Sequence, residues 1–163
     1  MSKTKIGGII QNTDLVRINL MGIVDAASNH GAPAAYAVLL ESLGNAQVSV
    51  DFIVHGSDPD GNEWLIFCVG KDNWEKTRRI LQNFQADHKV RQISVDQNVA
   101  SIGIYGPDFR IKPGLAGALM KTIHSAGITI QAVSTSLSTF TILIPEDQVD
   151  RALTAIQQGF ELP

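Results

Sequence analysis

Two segments of the chain place polar groups beside the start of a predicted helix. In the first segment Pro33 and Ala34 begin a helix, and Asp51 stands near the start of the strand that follows it. In the second, Lys112-Pro113-Gly114 precedes a helix, and Gln131 takes the place of Asp51. A helix N-terminus offers free N–H groups and a positive dipole end to a carboxylate, and an aspartate binds an ammonium group by charge-assisted hydrogen bonds. The two segments are therefore candidate sites for a small zwitterion.

The residue types that usually carry catalysis or hold metals show no working arrangement in the sequence. Cys68 lies between Phe67 and Val69 in an apolar strand and is interpreted as a small buried hydrophobe. Gly7-Gly8 is not a phosphate loop, because no lysine follows at the required spacing. No nucleophile–base pair is legible, so neither catalysis nor a cofactor is expected. Metal-ligand spacing is also missing among the four histidines, which are His30, His55, His88 and His124.

Composition excludes several classes of protein. The 163 residues are 44% hydrophobic and 18% charged, as expected for a globular chain rather than a disordered one. The net charge of −3 leaves no basic stripe, which argues against nucleic acid as a partner. No apolar run approaches the length of a membrane span, so no membrane partner is expected. The single cysteine precludes an internal disulfide and favours a cytoplasmic location.

A 22-residue segment occurs twice, 80 positions apart and without gaps. Residues 33–54 align with residues 113–134, and the matches fall on positions that a hydrophobic core would select. Aligned pairs include Pro33 with Pro113, Leu39 with Leu119, Leu43 with Ile123, Val48 with Ile128, and Val50 with Ile130. The chain is therefore predicted to contain a duplicated unit.

The first unit is predicted to follow the order βαββαβ, an α+β unit of the ferredoxin-like type. Pro33 should occupy the first position of its first helix, and Gly44-Asn45 should end that helix. Asp72 should cap the second helix, with Glu75 reaching back in a capping box.

The second unit repeats this order but lacks a sixth element after Gly159. The N-terminal strand Ile6–Gln11 is predicted to fill the vacancy, because an open edge would leave backbone groups unpaired. The predicted domains are then residues 13–95, and residues 6–12 plus 96–163, with the first domain inserted into the second.

Short motifs along nearly the whole chain resemble the tandem ACT region of aspartate kinases. Their order and spacing carry the resemblance more than any single motif. In chain order they are Ile6-Gly7-Gly8-Ile9-Ile10, Gly22-Ile-Val-Asp25, Val48-Ser-Val-Asp51-Phe-Ile53, Asp60-Gly61, Lys112-Pro113-Gly114, Val133-Ser134-Thr135-Ser136, Phe140-Thr-Ile-Leu-Ile144 and Phe160-Glu-Leu162.

The resemblance implies two ferredoxin-like ACT domains in a homodimer that binds a free amino acid, lysine or threonine, between ACT units. It also implies feedback control of an aspartate kinase catalytic subunit in aspartate-family amino-acid biosynthesis. Kinase activity itself is not expected, because the catalytic domain and its Lys-Phe-Gly-Gly-Thr signature are not in this sequence. The ligand-binding residues implied in the first unit are Asp25, Pro33, Ala34, Val50, Asp51 and His55. Those implied in the second unit are Lys112, Pro113, Gly114, Ile130, Gln131 and Ser134.

The first unit departs from the family pattern. Seven residues, 26–32, separate Asp25 from Pro33 where the family has one, and Ala34 replaces a glycine. A longer loop and an added Cβ change how closely the backbone can approach a ligand. Asp25 and Asp51 are also consistent with a loop cap and a solvated acid at a strand end. A ligand-free structural module that dimerises or tethers a partner is therefore the alternative function.

Overall fold

Period-two and helical apolar patterns become eight strands and four helices in the computed structural model, which describes residues 4–24, 32–60, 62–106 and 113–163. The strands are β1 (Thr4–Lys5), β2 (Gly8–Val24), β3 (Phe52–Ser57), β4 (Glu63–Gly70), β5 (Lys89–Tyr105), β6 (Ala132–Thr135), β7 (Thr139–Pro145) and β8 (Phe160–Glu161). The helices are α1 (Ala32–Asn45), α2 (Trp74–Asp87), α3 (Leu115–Ser125) and α4 (Val149–Gly159). Short 3₁₀ turns, Lys71–Asn73 and Glu146–Gln148, lead into α2 and α4.

The chain divides into two units. The first unit is Leu15–Gln97, and the second is Met1–Asp14 together with Asn98–Pro163. Because β2 and β5 are each 17 residues long, each strand supplies one part to the first unit and another part to the second.

In the first unit the strands lie in the order β3-β4-β2-β5. Strands β2 and β4 are antiparallel, with Val16 opposite Val69 and Ile18 opposite Phe67. Alternate residues of β2 enter the core because successive side chains of a strand point to opposite faces. They meet the apolar stripes of α1 and α2 in a buried cluster that includes Val16, Ile18, Leu20, Leu39, Leu43, Leu65, Phe67, Leu81 and Phe84.

In the second unit β6, β7, β5 and β2 lie side by side in that order, and β1 pairs with β8. The N–H of Ile6 donates to the carbonyl of Glu161 at 2.9 Å, and the N–H of Gly7 donates to that of Tyr105 at 2.6 Å. Ile6 is 4% exposed and belongs to the core of this unit. Ile6 and Gly7 therefore lie against residues of the second unit. The chain end also contributes, because Phe160–Glu161 forms the short strand β8.

The ends of α1 and α3 repeat each other bond for bond. Val48 N–H donates to the Leu43 carbonyl, and 80 positions later Ile128 N–H donates to that of Ile123. The left-handed residue in this turn is Gly127 in the second unit, with φ of 67°, and Gln47 in the first, with φ of 58°. The prediction that Gly44-Asn45 ends α1 agrees with the structure, because Asn45 is the last residue of the helix, and the left-handed turn residue follows at Gln47.

Two predictions about helix starts and one about a strand also need correction. Helix α1 begins at Ala32, so Pro33 is its second residue rather than its first. The capping box at α2 is not formed. The Asp72 carboxylate accepts a hydrogen bond from the Asn73 side-chain amide, and Glu75 pairs with Arg78 at 2.9 Å. The pattern of residues 48–54 predicts a strand that begins at Val48, but β3 begins at Phe52. Residues 46–48 are occupied by the turn that ends α1.

Candidate functional site

Each unit has two ends where a ligand could contact the first helix, one at its start and one at its finish. Helix α1 has 14 residues and is about 20 Å long. After the C-terminal end of α1 the chain makes a tight turn, and six residues, 46–51, separate the helix from β3. Asp51 therefore lies near the end of α1. The structure therefore does not bring Asp51 to the start of α1, where the sequence had placed it. His55, further along β3, reaches that start instead.

Three side chains of the first unit contact one another beside the second turn of α1. Tyr36, in this turn, is 5% exposed and belongs to the core cluster. Its ring meets the ring of His55 edge-on, with centroids 5.0 Å apart and planes at 68°. His55 Nε2 lies 3.0 Å from Glu63 Oε2 in β4. These three residues are here called the Tyr36 cluster, and His55 is one of the ligand-binding residues that the family resemblance implies.

The hydroxyl of Tyr36 is buried without a hydrogen-bond partner among the described residues. Burial, with a smaller contribution from the negative charge of Glu63, raises the pKa of Tyr36 to about 12. The phenol is therefore neutral at physiological pH and serves as a bulky, largely apolar body.

The start of α3 has no side-chain cap. Gly114 takes the left-handed conformation at the N-cap, with φ of 87°, and supplies no side-chain cap. Among the described residues, a Cβ built at Gly114 or at Gly117 would meet nothing within 4 Å. The first turn of α3 thus presents backbone amides that no N-cap side chain covers, and anions bind at such positions. Pro113 is exposed beside them.

Hydroxyl groups lie on β6 and β7, where the two strands form a hairpin. Ser134 pairs with Thr141 across β6 and β7, and Thr135 pairs with Phe140. The backbone N–H of Ser136 donates to the Thr139 carbonyl at 2.8 Å and closes the hairpin. At an offset of 80, Ala116 and Thr135 are the counterparts of Tyr36 and His55. Small residues therefore stand where the first unit has two rings.

The opposite end of each unit holds the other predicted residues. Asp51 N–H donates to the Cys68 carbonyl at 2.9 Å, and Gln131 N–H makes the equivalent bond to Leu143 at 2.8 Å. Burial, and then the neighbouring Asp72 carboxylate, raise the pKa of Asp51. The side-chain oxygen of Gln131 is buried without a partner among the described residues. These groups form a second polar location that sequence reasoning had merged with the helix start.

The apolar predicted residues also lie at this opposite end. Val50 packs against the first core and Ile130 against the second. Ile130 lines an open groove of about 780 Å³ beside the last turns of α3, together with Met120, Lys121, His124 and Ile128. No sequence pattern predicts this groove, because its residues belong to an ordinary amphipathic helix and the turn after it.

Two of the predicted residues, Asp25 and Lys112, lie outside the described residues. Pro33 and Ala34 lie in the first turn of α1. Within residues 4–24, 32–60, 62–106 and 113–163, no group of three or more side chains is arranged to hold a metal ion. No helix in the same ranges is long and apolar enough to cross a membrane.

Comparison with known proteins gives the class of this fold. Residues 102–160 match the ACT domain family model, and this segment includes β6, β7, α3, α4 and half of the second unit's part of β5. The second unit therefore carries an ACT domain.

The particular relatives are aspartate kinases. The aspartate kinase of Pseudomonas fluorescens (strain SBW25) is 27% identical over 162 residues, which are 99% of this chain and 38% of that protein. The regulatory subunit of aspartate kinase from Thermus thermophilus, in its ligand-free form, has the same fold, with a TM-score of 0.85 and 23% identity over 97% of this chain and 100% of that one. The chain thus resembles the aspartate kinase regulatory region along its whole length, and it spans about two fifths of the length of the curated relatives.

A third comparison is with a protein whose structure contains bound amino acids. E. coli aspartokinase III in complex with lysine and aspartate, in the T-state, superposes with a TM-score of 0.70 and 14% identity. The match covers 98% of this chain and 34% of that one. At this identity the likeness concerns the fold alone.

Proposed function

We propose that this chain is a non-catalytic regulatory protein that binds a free amino acid, lysine or threonine, and controls an aspartate kinase by feedback inhibition. The ligand lies at the start of α3 in the second unit. Its carboxylate accepts hydrogen bonds from the amides of the first turn, and its polar side chain faces the hydroxyls of Ser134 and Thr135. The regulated partner is a kinase catalytic subunit in the cytoplasm, and the process is aspartate-family amino-acid biosynthesis.

One observation carries this proposal: Gly114 supplies no side-chain cap to the helix, and no described residue lies within 4 Å of a Cβ built there. A side-chain cap would satisfy the first amides and leave nothing for a ligand to bind. The left-handed glycine also removes the Cβ that would keep a ligand from the backbone. The relatives add support, since one of them is a regulatory subunit of aspartate kinase and another is an aspartokinase in complex with lysine.

The domain organisation that we propose is two ACT domains in tandem, with the first inserted into the second. Residues 13–95 form the first, and residues 6–12 plus 96–163 form the second. The division of the chain at Asp14/Leu15 and Gln97/Asn98 supports these boundaries within two residues. We further propose that the protein is a homodimer, because exposed apolar side chains such as Val38 and Met120 remain on α1 and α3.

A second candidate function rests on the contents of the first unit. Tyr36 packs in the core and against His55, which pairs with Glu63, and these contacts favour a structural role for the first unit. A chain in which neither unit binds a ligand would serve to dimerise or to tether a partner. The two functions differ in a single property, which is saturable binding of an amino acid.

A thermal-shift screen of the twenty amino acids tests the proposed function. A ligand at a hundred times its Kd stabilises the folded state by about 2.7 kcal/mol. A chain of this size then gains several degrees, since each kcal/mol shifts the melting temperature by roughly 2–4 °C. Lysine or threonine should produce this shift at millimolar concentration. If none of the twenty does so, the structural module replaces the sensor.

Paired glycine variants locate the site. Gly114→Val should abolish the shift, because its side chain enters the open space at the helix start. Gly127→Val is the matched control: it also puts a β-branched residue at positive φ, and it also has nothing within 4 Å of the new Cβ. It lies at the other end of α3 and should leave ligand binding intact. Loss of binding in both variants, or in neither, would place the site elsewhere.

A further inference from the structure

The groove of about 780 Å³ beside the last turns of α3, here called the α3 groove, lies wholly within the second unit. Its volume is within the range of small-molecule sites, which is roughly 300–1,000 Å³. The lining is largely apolar: Ile128 is 5% exposed, Ile130 packs against the core of the unit, and Met120 is 37% exposed. The α3 groove can therefore cover the hydrocarbon part of a ligand.

The ionisable groups that line the α3 groove are basic. Lys121 and His124 are three positions apart, on one face of α3, and both are exposed. None of the described residues that line the groove is acidic. This local excess of basic groups contrasts with the net charge of −3 of the whole chain. An anionic group in the groove would thus be bound by charge-assisted hydrogen bonds.

The turn that ends α3 does not require these basic residues. Basic side chains in the last turn of a helix commonly interact with its free carbonyls. Here the N–H of Ala126 donates to the Thr122 carbonyl at 3.2 Å, and the N–H of Ile128 donates to the Ile123 carbonyl at 3.3 Å. Helix α1 ends in the same hydrogen-bonded turn without a basic residue in its last turn. The two basic side chains are therefore available to a ligand.

The first unit keeps the apolar lining of this region but not its charge. The apolar lining residues have apolar counterparts 80 positions earlier, which are Leu40, Val48 and Val50. Glu41 stands where the second unit has Lys121, and Gly44 stands where it has His124. Because the two helices end in matching turns, these positions are structurally equivalent. The fold forms without the basic pair, which is a property of the second unit.

We propose that the α3 groove binds a small apolar monocarboxylate, which is a carboxylate on a hydrocarbon body without an ammonium group. Its carboxylate accepts hydrogen bonds from the Lys121 ammonium group and from a ring N–H of His124. Its hydrocarbon body contacts Met120, Ile128 and Ile130. A free amino acid is disfavoured, because its own ammonium group would lie beside Lys121 without an acidic partner. This ligand is separate from the amino acid of the proposed function, and neither proposal depends on the other.

An NMR titration of the ¹⁵N-labelled chain with hexanoate tests the proposal. The amides of His124, Gly127, Thr129 and Ile130 should shift saturably at millimolar hexanoate. Hexanamide has the same hydrocarbon body without the charge and should bind about tenfold or more weakly, because a charge-assisted hydrogen bond is lost. Equal affinities for the two compounds would overturn the proposal. It would also be overturned if these four amides showed no saturable shift.

Reversal of one charge tests the role of the basic pair. Lys121→Glu copies Glu41 of the first unit and should raise the Kd for hexanoate about tenfold or more. Lys76→Glu is the matched control, because it makes the same charge change at an exposed position of α2 in the first unit. It should leave the Kd unchanged, and circular dichroism should show that both variants fold. A Kd that Lys121→Glu does not change, or that both variants change equally, would overturn the proposal.

Discussion

Helices α1 and α3 are counterparts in the repeat that differ at their starts and agree at their ends. Helix α1 includes Ala34, whereas its counterpart Gly114 takes the left-handed conformation before α3 begins. Tyr36, in the second turn of α1, packs edge-on against His55, whereas its counterpart Ala116 is exposed. At the other end of the two helices the match is close, down to the hydrogen bonds that close each turn. The two units thus share their core and turn positions and diverge at the helix start.

The largest effect on stability should follow from removing the buried ring of Tyr36. Tyr36→Ala removes a buried ring and should lower the free energy of unfolding by about 3–5 kcal/mol, as for other large aromatic truncations. Urea denaturation followed by circular dichroism measures the change. Val38→Ala, two residues along α1 and 48% exposed, is the control and should change stability by about 0.5 kcal/mol or less. Equal losses in the two variants would mean that Tyr36 does not fill the first unit.

The next effect concerns the turns in which the units agree. A residue with a side chain costs about 1–2 kcal/mol in the left-handed conformation, part of which glycine returns through its greater unfolded-state entropy. Gln47→Gly should therefore raise the free energy of unfolding by about 0.5–1 kcal/mol. The reciprocal Gly127→Gln should lower it by a similar amount, and urea midpoints measure both. Changes of the same sign in the two variants would contradict the equivalence of the turns.

A smaller gain in stability is expected when the ring of Tyr36 is kept and its hydroxyl is removed. Tyr36→Phe retains the ring but not the buried oxygen, which has no partner among the described residues. Because an unpaired buried hydroxyl is costly, the variant should be more stable by roughly 0.5–1 kcal/mol. Thermal unfolding is a sufficient measurement. Destabilisation by more than that amount would show that the hydroxyl makes a stabilising bond.

The smallest effect should depend on pH and tests the opposite end of the units. The raised pKa of Asp51 means that the folded state disfavours the ionised form. Its stabilising contribution is complete below the ordinary value of 3.8 and is lost as the pH rises through the raised pKa. Asp51→Asn, which imitates the neutral Gln131 of the second unit, should thus be slightly more stable than wild type at pH 7. The difference in urea midpoint should disappear at pH 3, and a difference that grows on acidification would contradict this sign.

Much of the fold followed from local pattern. Val16, Ile18 and Leu20 alternate with other residues, a pattern that indicates a half-buried strand. Leu39 and Leu43 are four residues apart and indicate the apolar stripe of a helix. These signals are reliable because the period of the side chains is fixed by the backbone. The repeat added long-range information, since it tied the poorly marked second unit to the first.

The misplacement of Asp51 has a physical cause. Asp51 was placed at the helix start from its position near the start of a strand. The length of α1 and the turn after it put that strand start at the opposite end of the helix. The helix rise, applied to the length of α1, corrects this error.

The Tyr36 cluster could not be predicted from the sequence. The family resemblance implies that His55 binds a ligand. No local sequence pattern indicates that it contacts Tyr36, because the two residues are 19 positions apart. Their contact depends on how α1 packs on β3, and on the path of the hairpin that brings Glu63 back to His55.

Amide chemical-shift mapping by NMR tests the central claim most directly, because it separates the two helix starts within one titration. The 17.6 kDa chain is labelled with ¹⁵N and titrated with the amino acid that raises its melting temperature. The account predicts that the amides of Leu115, Ala116 and Gly117 shift to saturation, while those of Ala35, Tyr36 and Ala37 stay in place. Saturable shifts at Ala35–Ala37 with none at Leu115–Gly117 would contradict it.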